Sequence, residues 1–479
     1  MRNDLLAVLP EIAVLTAASL ILIVDLFVPQ AKRHLTFWLT QVSLLVTLWI
    51  VLATAPVGSL RAFHGMVVAD MLGGVLKLFA VVAVSLMLFY GRSYLAARGL
   101  FRGETFVLVL FALLGIMVMT ASASFLTLYL GLEIMSLSLY ALVALQRDAA
   151  APSEAAMKYF VLGALASGML LYGVSMVYGA TGTLDLDRVA EATLGSQGNR
   201  PLLAFGLVFI VSGIAFKLGV VPYHMWVPDV YQGAPTPMTL LVGTAPKLAA
   251  FAFTLRVLAG SLKGLEFDWQ GMLIVLSLLS MSLGNLIAIA QQNIKRMLAY
   301  STIANMGFML MGLLAADLNG YSAAMFYTVA YVFTSLASFG VVLLLSREGF
   351  EADQLDDLKG LNRRSPWWAF IMLLVMFSLA GVPPTLGFYA KFSVLEAAVN
   401  QGFVWLAVAG VLASLVGAFY YLRVVKLMYF DEPTDREPIV AAGEARALLS
   451  ANGLALLVLG ILPQPLMGLC VVALAQSHF

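Results

Sequence analysis

Residues 216–237 read FKLGVVPYHMWVPDVYQGAPTP, and residues 378–392 read SLAGVPPTLGFYAKF. Each interrupts an otherwise apolar stretch with glycine and proline, and each holds a lysine, Lys217 and Lys391. Aligned on glycine they become Gly219-x-x-Pro222-x-x-x-Trp226 and Gly381-x-x-Pro384-x-x-x-Phe388, 162 residues apart. Proline inside a helix removes a backbone hydrogen bond, and in lipid the freed carbonyl needs another partner. Paired Gly/Pro breaks at corresponding places in two halves are the sequence sign of inverted transporter repeats. Two unrelated kinks are the competing reading.

The surroundings of these breaks decide the solvent. Of 479 residues, 62% are hydrophobic and 11% charged, against about 45–50% and about 25% in a soluble domain. Mean hydropathy is +0.95. This excludes a soluble enzyme, a nucleic-acid binder and a disordered chain, and predicts an all-α polytopic membrane protein. The net charge of +1 implies no acidic partner. The lone Cys470 cannot build a disulfide framework, a zinc site or an iron–sulfur site. No Walker-type phosphate loop appears, and no GxGxxG follows a strand pattern, so no cofactor and no metal is expected in this chain. The start, MRNDLLAVLPEIAVL, reads as a first transmembrane helix and not as a removed signal.

A span needs about 20 mostly apolar residues. Segments 10–28, 35–54, 69–90, 105–121, 124–145, 157–179, 202–221, 238–259, 271–290, 297–316, 322–345, 366–399, 403–428 and 447–474 qualify, about fourteen in all. The segment 366–399 is too long for one straight span, and Pro463 and Pro465 kink the last. The organisation expected is an N-terminal group of three helices over 1–104, a first repeat over 105–259, a second over 271–428, and a C-terminal helix within 429–479. Each repeat has five spans and one broken helix. Five is odd, so the halves run in opposite directions.

Assigning loops alternately to two sides places Arg2, Arg61, Arg188, Arg200, Arg256 and Lys263 on the side of the N-terminus. Sixteen others fall opposite: Lys32, Arg33, Arg92, Arg98, Arg102, Arg147, Lys295, Arg296, Arg347, Lys359, Arg363, Arg364, Arg423, Lys426, Arg436 and Arg446. The richer side is cytoplasmic, which predicts both termini outside. Lys77, Lys158, Lys217, Lys247 and Lys391 remain within spans or at their edges.

A charge at a helix centre costs about 2.5–3.5 kcal/mol on insertion scales. Glu133 and Lys247 are each near the middle of a span, Lys217 is five residues before Pro222, and Lys391 lies about two turns beyond Pro383-Pro384. Four such charges are hard to retain for packing alone. A desolvated lysine releases its proton more readily, and a nearby carboxylate reverses this, so a movable Lys/Glu pair can switch proton affinity. Blander readings suit other positions. Lys158 follows Glu154 by four residues, an interfacial pair. Lys77 reads as a buried lysine bonded to carbonyls, and Asp25 as a residue snorkelling to the interface. His224, just after Pro222, is either a relay or a cap at the break. Tyr327, Tyr331, Thr334 and Ser338 recur on one helical face, and Ser301, Thr302 and Asn305 lie early in the preceding span. They line a hydrated path or merely bond helix to helix.

Taken together, KLGVVPYHMWVPDVYQGAPTP, YLGLEIMSLSLYAL, NIKRMLAYSTIANMGFM and LAGVPPTLGFYAKF resemble the proton-translocating, antiporter-like membrane subunits of respiratory complex I, the NADH-quinone oxidoreductases. The resemblance covers about residues 105–430. Within the family the chain looks like the N-type branch: M-type relatives carry a glutamate where this chain has Lys391, and L-type relatives extend into a long lateral helix. The resemblance implies that Glu133 pairs with Lys217, that Lys247 is the central lysine of a proton path, and that Lys391 is its terminal donor. Lys158, His224, Lys295, Tyr300 and Tyr331 are secondary relay candidates. Relatives often have a histidine on the helix matching 322–345, where this chain has only hydroxyls. The resemblance further implies a multi-pass protein of the bacterial inner membrane and a translocase subunit without redox catalysis of its own. Its partners would be the other membrane-arm and peripheral-arm subunits of the complex and the lipid bilayer. Flavin, iron–sulfur clusters and quinone would belong to those partner subunits. A multisubunit cation/proton antiporter subunit, built on the same helices, is the alternative, and a non-conducting scaffold a third.

Overall fold

The computed structural model describes residues 2–55, 58–195, 199–434, 437, 439 and 442–477; Arg436, counted above with the cytoplasmic charges, lies outside them. The described residues are overwhelmingly helical. The N-terminal group is α1 (Arg2–Ala7), α2 (Leu9–Asp25), α3 (His34–Ala53) and α4 (Met71–Ala97). A two-stranded antiparallel hairpin, β1 (Leu60–Ala62) with β2 (Val67–Ala69), joins α3 to α4. There follow α5 (Gly103–Thr120), α6 (Phe125–Val143), α7 (Ala150–Thr181), α8 (Leu186–Leu194) and α9 (Arg200–Leu218). After a break come α10 (Trp226–Gly233), α11 (Thr236–Gly243) and α12 (Ala245–Thr254), the last running into a π-helical turn over Leu255–Ser261.

The second series is α13 (Glu266–Ile289), α14 (Ile294–Leu313), α15 (Leu318–Leu345), α16 (Leu361–Arg364), α17 (Pro366–Ala380), α18 (Leu386–Asn400) and α19 (Val404–Phe430). The chain closes with α20 (Gly443–Ile461) and α21 (Gln464–Ala475). Side-chain caps start many of these helices: Asp70, Ser124, Asn293 and Asp317 each accept a backbone N–H from the first turn of the helix they precede. Among the described residues, eleven helices are long and apolar enough to cross a membrane. The segment 366–399 is two 15-residue helices, α17 and α18, rather than one span. The segment 238–259 likewise falls into pieces, because α11, α12 and the π turn replace one continuous helix.

Thr236–Ser261 and α15 form the interior of the molecule, almost wholly enclosed by protein, whereas α19 and α20 turn most of their surface outward. Outward leucines, valines and aromatics, such as Trp49 on α3 and Leu415 on α19, cover the outer face of the molecule, as lipid requires. Helices approach through small residues, the packing that lipid favours because it offers no hydrophobic drive between helices. Between α5 and α6, a side chain on Gly115 would strike the backbone of Gly131 and Met135.

Buried charge in the N-terminal group is paired. Lys77 Nζ on α4 lies 2.6 Å from Glu11 Oε1 on α2, both nearly inaccessible. Lys77 therefore has a carboxylate partner and not the carbonyls expected of it. Asp25 does not merely snorkel: it accepts from Arg33 and from Thr36, each at 2.8 Å. Arg256, assigned from sequence to an outer loop, is buried in the π turn. It donates to both oxygens of Asp70 at 2.8 and 2.9 Å and to the Thr120 carbonyl at 2.8 Å. It so ties α4 and α5 to the end of the helix that carries Lys247.

Removing one partner of a buried ion pair strands the other charge, at about 3–5 kcal/mol. Lys77→Met should therefore lower the thermal stability of the assembled protein and its yield in membranes. Lys77→Met combined with Glu11→Leu should recover most of the loss, and equal instability of the single and double variants would refute the pairing.

Candidate functional site

Both breaks are built alike. Helix α9 ends at Leu218, and Gly219 takes φ 79° and ψ 35°; α17 ends at Ala380, and Gly381 takes φ 83° and ψ 42°. Only glycine adopts this left-handed conformation without a Cβ penalty. The Gly219 and Val220 amides bond back to the Phe216 and Ala215 carbonyls, and the Gly381 and Val382 amides to those of Ser378 and Phe377. This is the Schellman closure, which satisfies two carbonyls and leaves the last two of the helix open. The peptide bonds Val221–Pro222 and Pro383–Pro384 that follow are both cis.

The open carbonyls are those of Lys217 and Leu218 at the first break, and of Leu379 and Ala380 at the second. Lys247 Nζ donates to Leu218 O at 2.8 Å and lies 3.4 Å from Lys217 O. Lys391 Nζ donates to Leu379 O at 2.9 Å, Ala380 O at 3.1 Å and Ser414 Oγ at 3.0 Å. Each ammonium thus sits on the negative end of a half-helix, where the backbone dipole favours a cation. Aromatic faces complete both sites: Trp226 lies 5.5 Å from Lys247 Nζ and Phe308 lies 5.0 Å from Lys391 Nζ. The first break recruits its lysine from α12, the second from α18 just past its own break.

Lys217 belongs to the same cluster by its backbone, but its side chain leaves for α6. It donates to Ser136 Oγ at 2.8 Å. Glu133 lies one turn earlier on that face of α6, and its buried Oε1 has no hydrogen-bond partner. The expected pair is thus drawn together but not closed: Ser136 holds the lysine in the carboxylate's place. Tyr129 and Tyr140 flank Glu133 on the same face.

From the Lys391 site a band of hydroxyls and amides runs into the interior. Tyr331 shares a 2.7 Å hydrogen bond with Thr302, and Ser301 one of 2.6 Å with Tyr421. Tyr327 donates to Asn305 Oδ1 at 2.6 Å, and Thr334 lies 3.2 Å from Ser378. Ser338 only bonds back to its own helix. A cavity of about 10 Å³, bounded among others by Asn305, Tyr327, Tyr331, Thr334, Ser378 and Lys391, has room for about one water. Tyr231 on α10 also faces Tyr331 and Thr302, though its buried hydroxyl makes no well-formed hydrogen bond to either.

The secondary candidates divide. Lys158 pairs with Glu154 at 2.8 Å, as the interfacial reading has it, and also with Asp229 at 2.7 Å, which in turn meets Arg296 at 2.7 Å. Glu154, Lys158 and Asp229 border a cleft of about 290 Å³ that none of Lys217, Lys247 and Lys391 lines. His224 lies half-buried in the turn between α9 and α10, with its Nδ1 unpartnered. Tyr300 packs part-buried against the core. Lys295, counted among loop charges, is buried and donates to Ala234 O at 3.0 Å. Among the described residues, no group of three His, Cys, Asp or Glu is arranged to hold a metal.

Residues 122–417 match the family described as NADH:quinone oxidoreductase/Mrp antiporter, transmembrane. NADH-quinone oxidoreductase subunit N of Thiobacillus denitrificans is 60% identical over 98% of this chain and 97% of its own length. The subunit N of Herminiimonas arsenicoxydans is 57% identical over 99% of both chains. Among solved structures, a chain of respiratory complex I from Thermus thermophilus with bound aureothin is 33% identical and superimposes with a TM-score of 0.82, covering 96% of this chain and 99% of that one. A chain of the Mrp complex from Dietzia sp. shares the fold, with a TM-score of 0.86 at 22% identity over 99% of this chain and 97% of that one.

The hydroxyl band separates two kinds of tyrosine. Tyr327→Phe strips a buried amide oxygen of its donor and should cost about 1–3 kcal/mol. Tyr231→Phe removes a hydroxyl that faces Tyr331 and Thr302 without a well-formed hydrogen bond, and should cost less than Tyr327→Phe. Thermal unfolding of the assembled protein checks both, and equal losses would contradict the geometry.

Proposed function

This chain belongs to the NADH:quinone oxidoreductase/Mrp antiporter transmembrane family, and we propose that Glu133, Lys217, Lys247 and Lys391 are the path by which it moves protons. It is a membrane subunit of a proton-translocating NADH:quinone oxidoreductase of the bacterial respiratory chain, and its partners are the other subunits of that complex. The likeness to an Mrp chain, at 22% identity, speaks for the fold alone.

The observation that carries the path is the pair of ammonium groups on matched open carbonyls, with a polar band leading from the second into an otherwise apolar interior. A proton enters from the cytoplasmic side near Lys217 and Lys247, crosses the hydroxyl band, and leaves outward from Lys391. Lys217 is the switching element. It is held by Ser136 at one moment and by Glu133 at another, and its own carbonyl is an acceptor for Lys247. Moving one charge against 100 mV costs about 2.3 kcal/mol. Quinone reduction in the partner subunits, which hold the flavin and the iron–sulfur clusters, supplies it; this chain contributes the path and no redox step.

The same reading takes residues 105–259 and 271–428 as two inverted halves, flanked by the N-terminal helices and a C-terminal helix, with about fourteen spans. The repeated order of elements, the two Schellman-closed glycines 162 residues apart and the matched carbonyl pairs support it. Both termini lie on the periplasmic side of the bacterial inner membrane by the distribution of arginine and lysine.

Lys217→Ala and Glu133→Ala should each lower the number of protons moved per NADH oxidised by sealed vesicles carrying the whole complex. A wild-type ratio in both variants would count against this path. Lys247→Leu should abolish the subunit's share with assembly intact, an outcome a scaffold would not produce.

A further inference from the structure

Glu351 lies in the loop between α15 and α16, outside every span. Its side chain keeps 39% of its surface exposed, yet it is fully engaged. Tyr94 donates to Oε1 at 2.8 Å and lies 3.0 Å from Oε2, and Arg98 Nε donates to Oε1 at 2.8 Å. The third neighbour is Thr236, the first residue of α11, whose hydroxyl donates to Oε2 at 3.4 Å. Thr236 is completely buried. On its inner side Lys295 Nζ lies 3.5 Å from the same hydroxyl and 3.0 Å from Ala234 O. One buried hydroxyl therefore stands between a carboxylate that reaches water and an ammonium that does not.

We propose that Glu351 is the proton-collecting group for the second half of the path and that Thr236 hands its protons to Lys295. This rests on the reading of the chain as a proton translocator. The transfer balances at each atom. The carboxylic proton of Glu351 passes to Thr236 Oγ1 as the proton already on that oxygen passes to the unprotonated amine of Lys295. At Thr236 one O–H bond forms and one breaks, and at Lys295 one N–H bond forms. The carboxylate left behind takes its next proton from water on the side of the arginine-rich loops. Separations of 3.4 and 3.5 Å are long for hydrogen bonds, and relay contacts often tighten only when the proton is in transit. Beyond Lys295 the way inward lies on the same helix. Thr302, two turns further along α14, carries the bond to Tyr331 that opens the hydroxyl band.

The bland reading is that Glu351 only staples its loop to α4 through Arg98. The two readings separate on variants of the whole complex in sealed vesicles, with protons moved per NADH oxidised as readout and Lys217→Ala as reference. Thr236→Val keeps the shape and the ion pair but removes the relaying hydroxyl. It and Glu351→Gln should slow proton delivery by about 10²-fold or more and bring the ratio down to that of Lys217→Ala. Thr236→Ser should restore it. Arg98→Gln, which breaks the staple and leaves the relay, should keep the wild-type ratio per assembled complex. A wild-type ratio in Thr236→Val and Glu351→Gln beside a lowered one in Lys217→Ala would overturn this proposal alone. Arg98→Gln falling as far as Glu351→Gln, with Thr236→Val unaffected, would make Glu351 a staple. A wild-type ratio in Lys217→Ala as well would overturn the parent reading.

Discussion

A helix that stops in the middle of a membrane leaves carbonyls that water cannot reach, and the rest of this structure answers to that constraint. The Schellman closure at Gly219 and at Gly381 disposes of two carbonyls per break and leaves two more. In lipid these would cost several kcal/mol each if left alone. A lysine ammonium on each pair solves the problem twice over. It donates to the carbonyls, and the carbonyls with the helix dipole behind them compensate its charge. The burial of Lys247 and Lys391 is therefore neither an accident nor a pure expense. Each ammonium stabilises the break that holds it.

On the proposed path, this arrangement couples proton occupancy to backbone geometry. A lysine that gives up its proton keeps fewer donors for its carbonyls, so the break beneath it loses part of its closure. In the proposed path Lys217 is the hinge of that coupling, because its carbonyl faces Lys247 while its side chain reaches Ser136. Movement of one residue touches both neighbours. The charges in the N-terminal group behave differently. Glu11 with Lys77 and Asp70 with Arg256 neutralise each other at close range, so they fasten helices and leave no charge to move.

Proline, glycine and charge carry most of what can be read without a structure. The breaks at 219–222 and 381–384 stand out because no soluble core would need them in apolar surroundings, and Glu133, Lys247 and Lys391 stand out because lipid makes charge conspicuous. Serine, threonine and tyrosine are quieter. Ser136, Ser414 and Tyr231 have the same hydropathy signature as any hydroxyl bonded back along its own helix, and only proximity gives them a part. Glu351 was silent for the opposite reason: a carboxylate in a polar loop looks like a solvated surface residue.

Composition, proline and glycine are enough to read off the solvent, the approximate spans, the places where helices break and the short list of charges that lipid must accommodate. These are local properties, set by composition within a span or by one proline and one glycine. What each charge touches depends on how the helices pack. Lys77 meets a carboxylate 66 positions away, Arg256 one 186 positions away, and Lys247 two carbonyls at the end of a different helix. Such partners are chosen by how helices cross, and the crossing depends on many small residues at once, so no single stretch of sequence contains it.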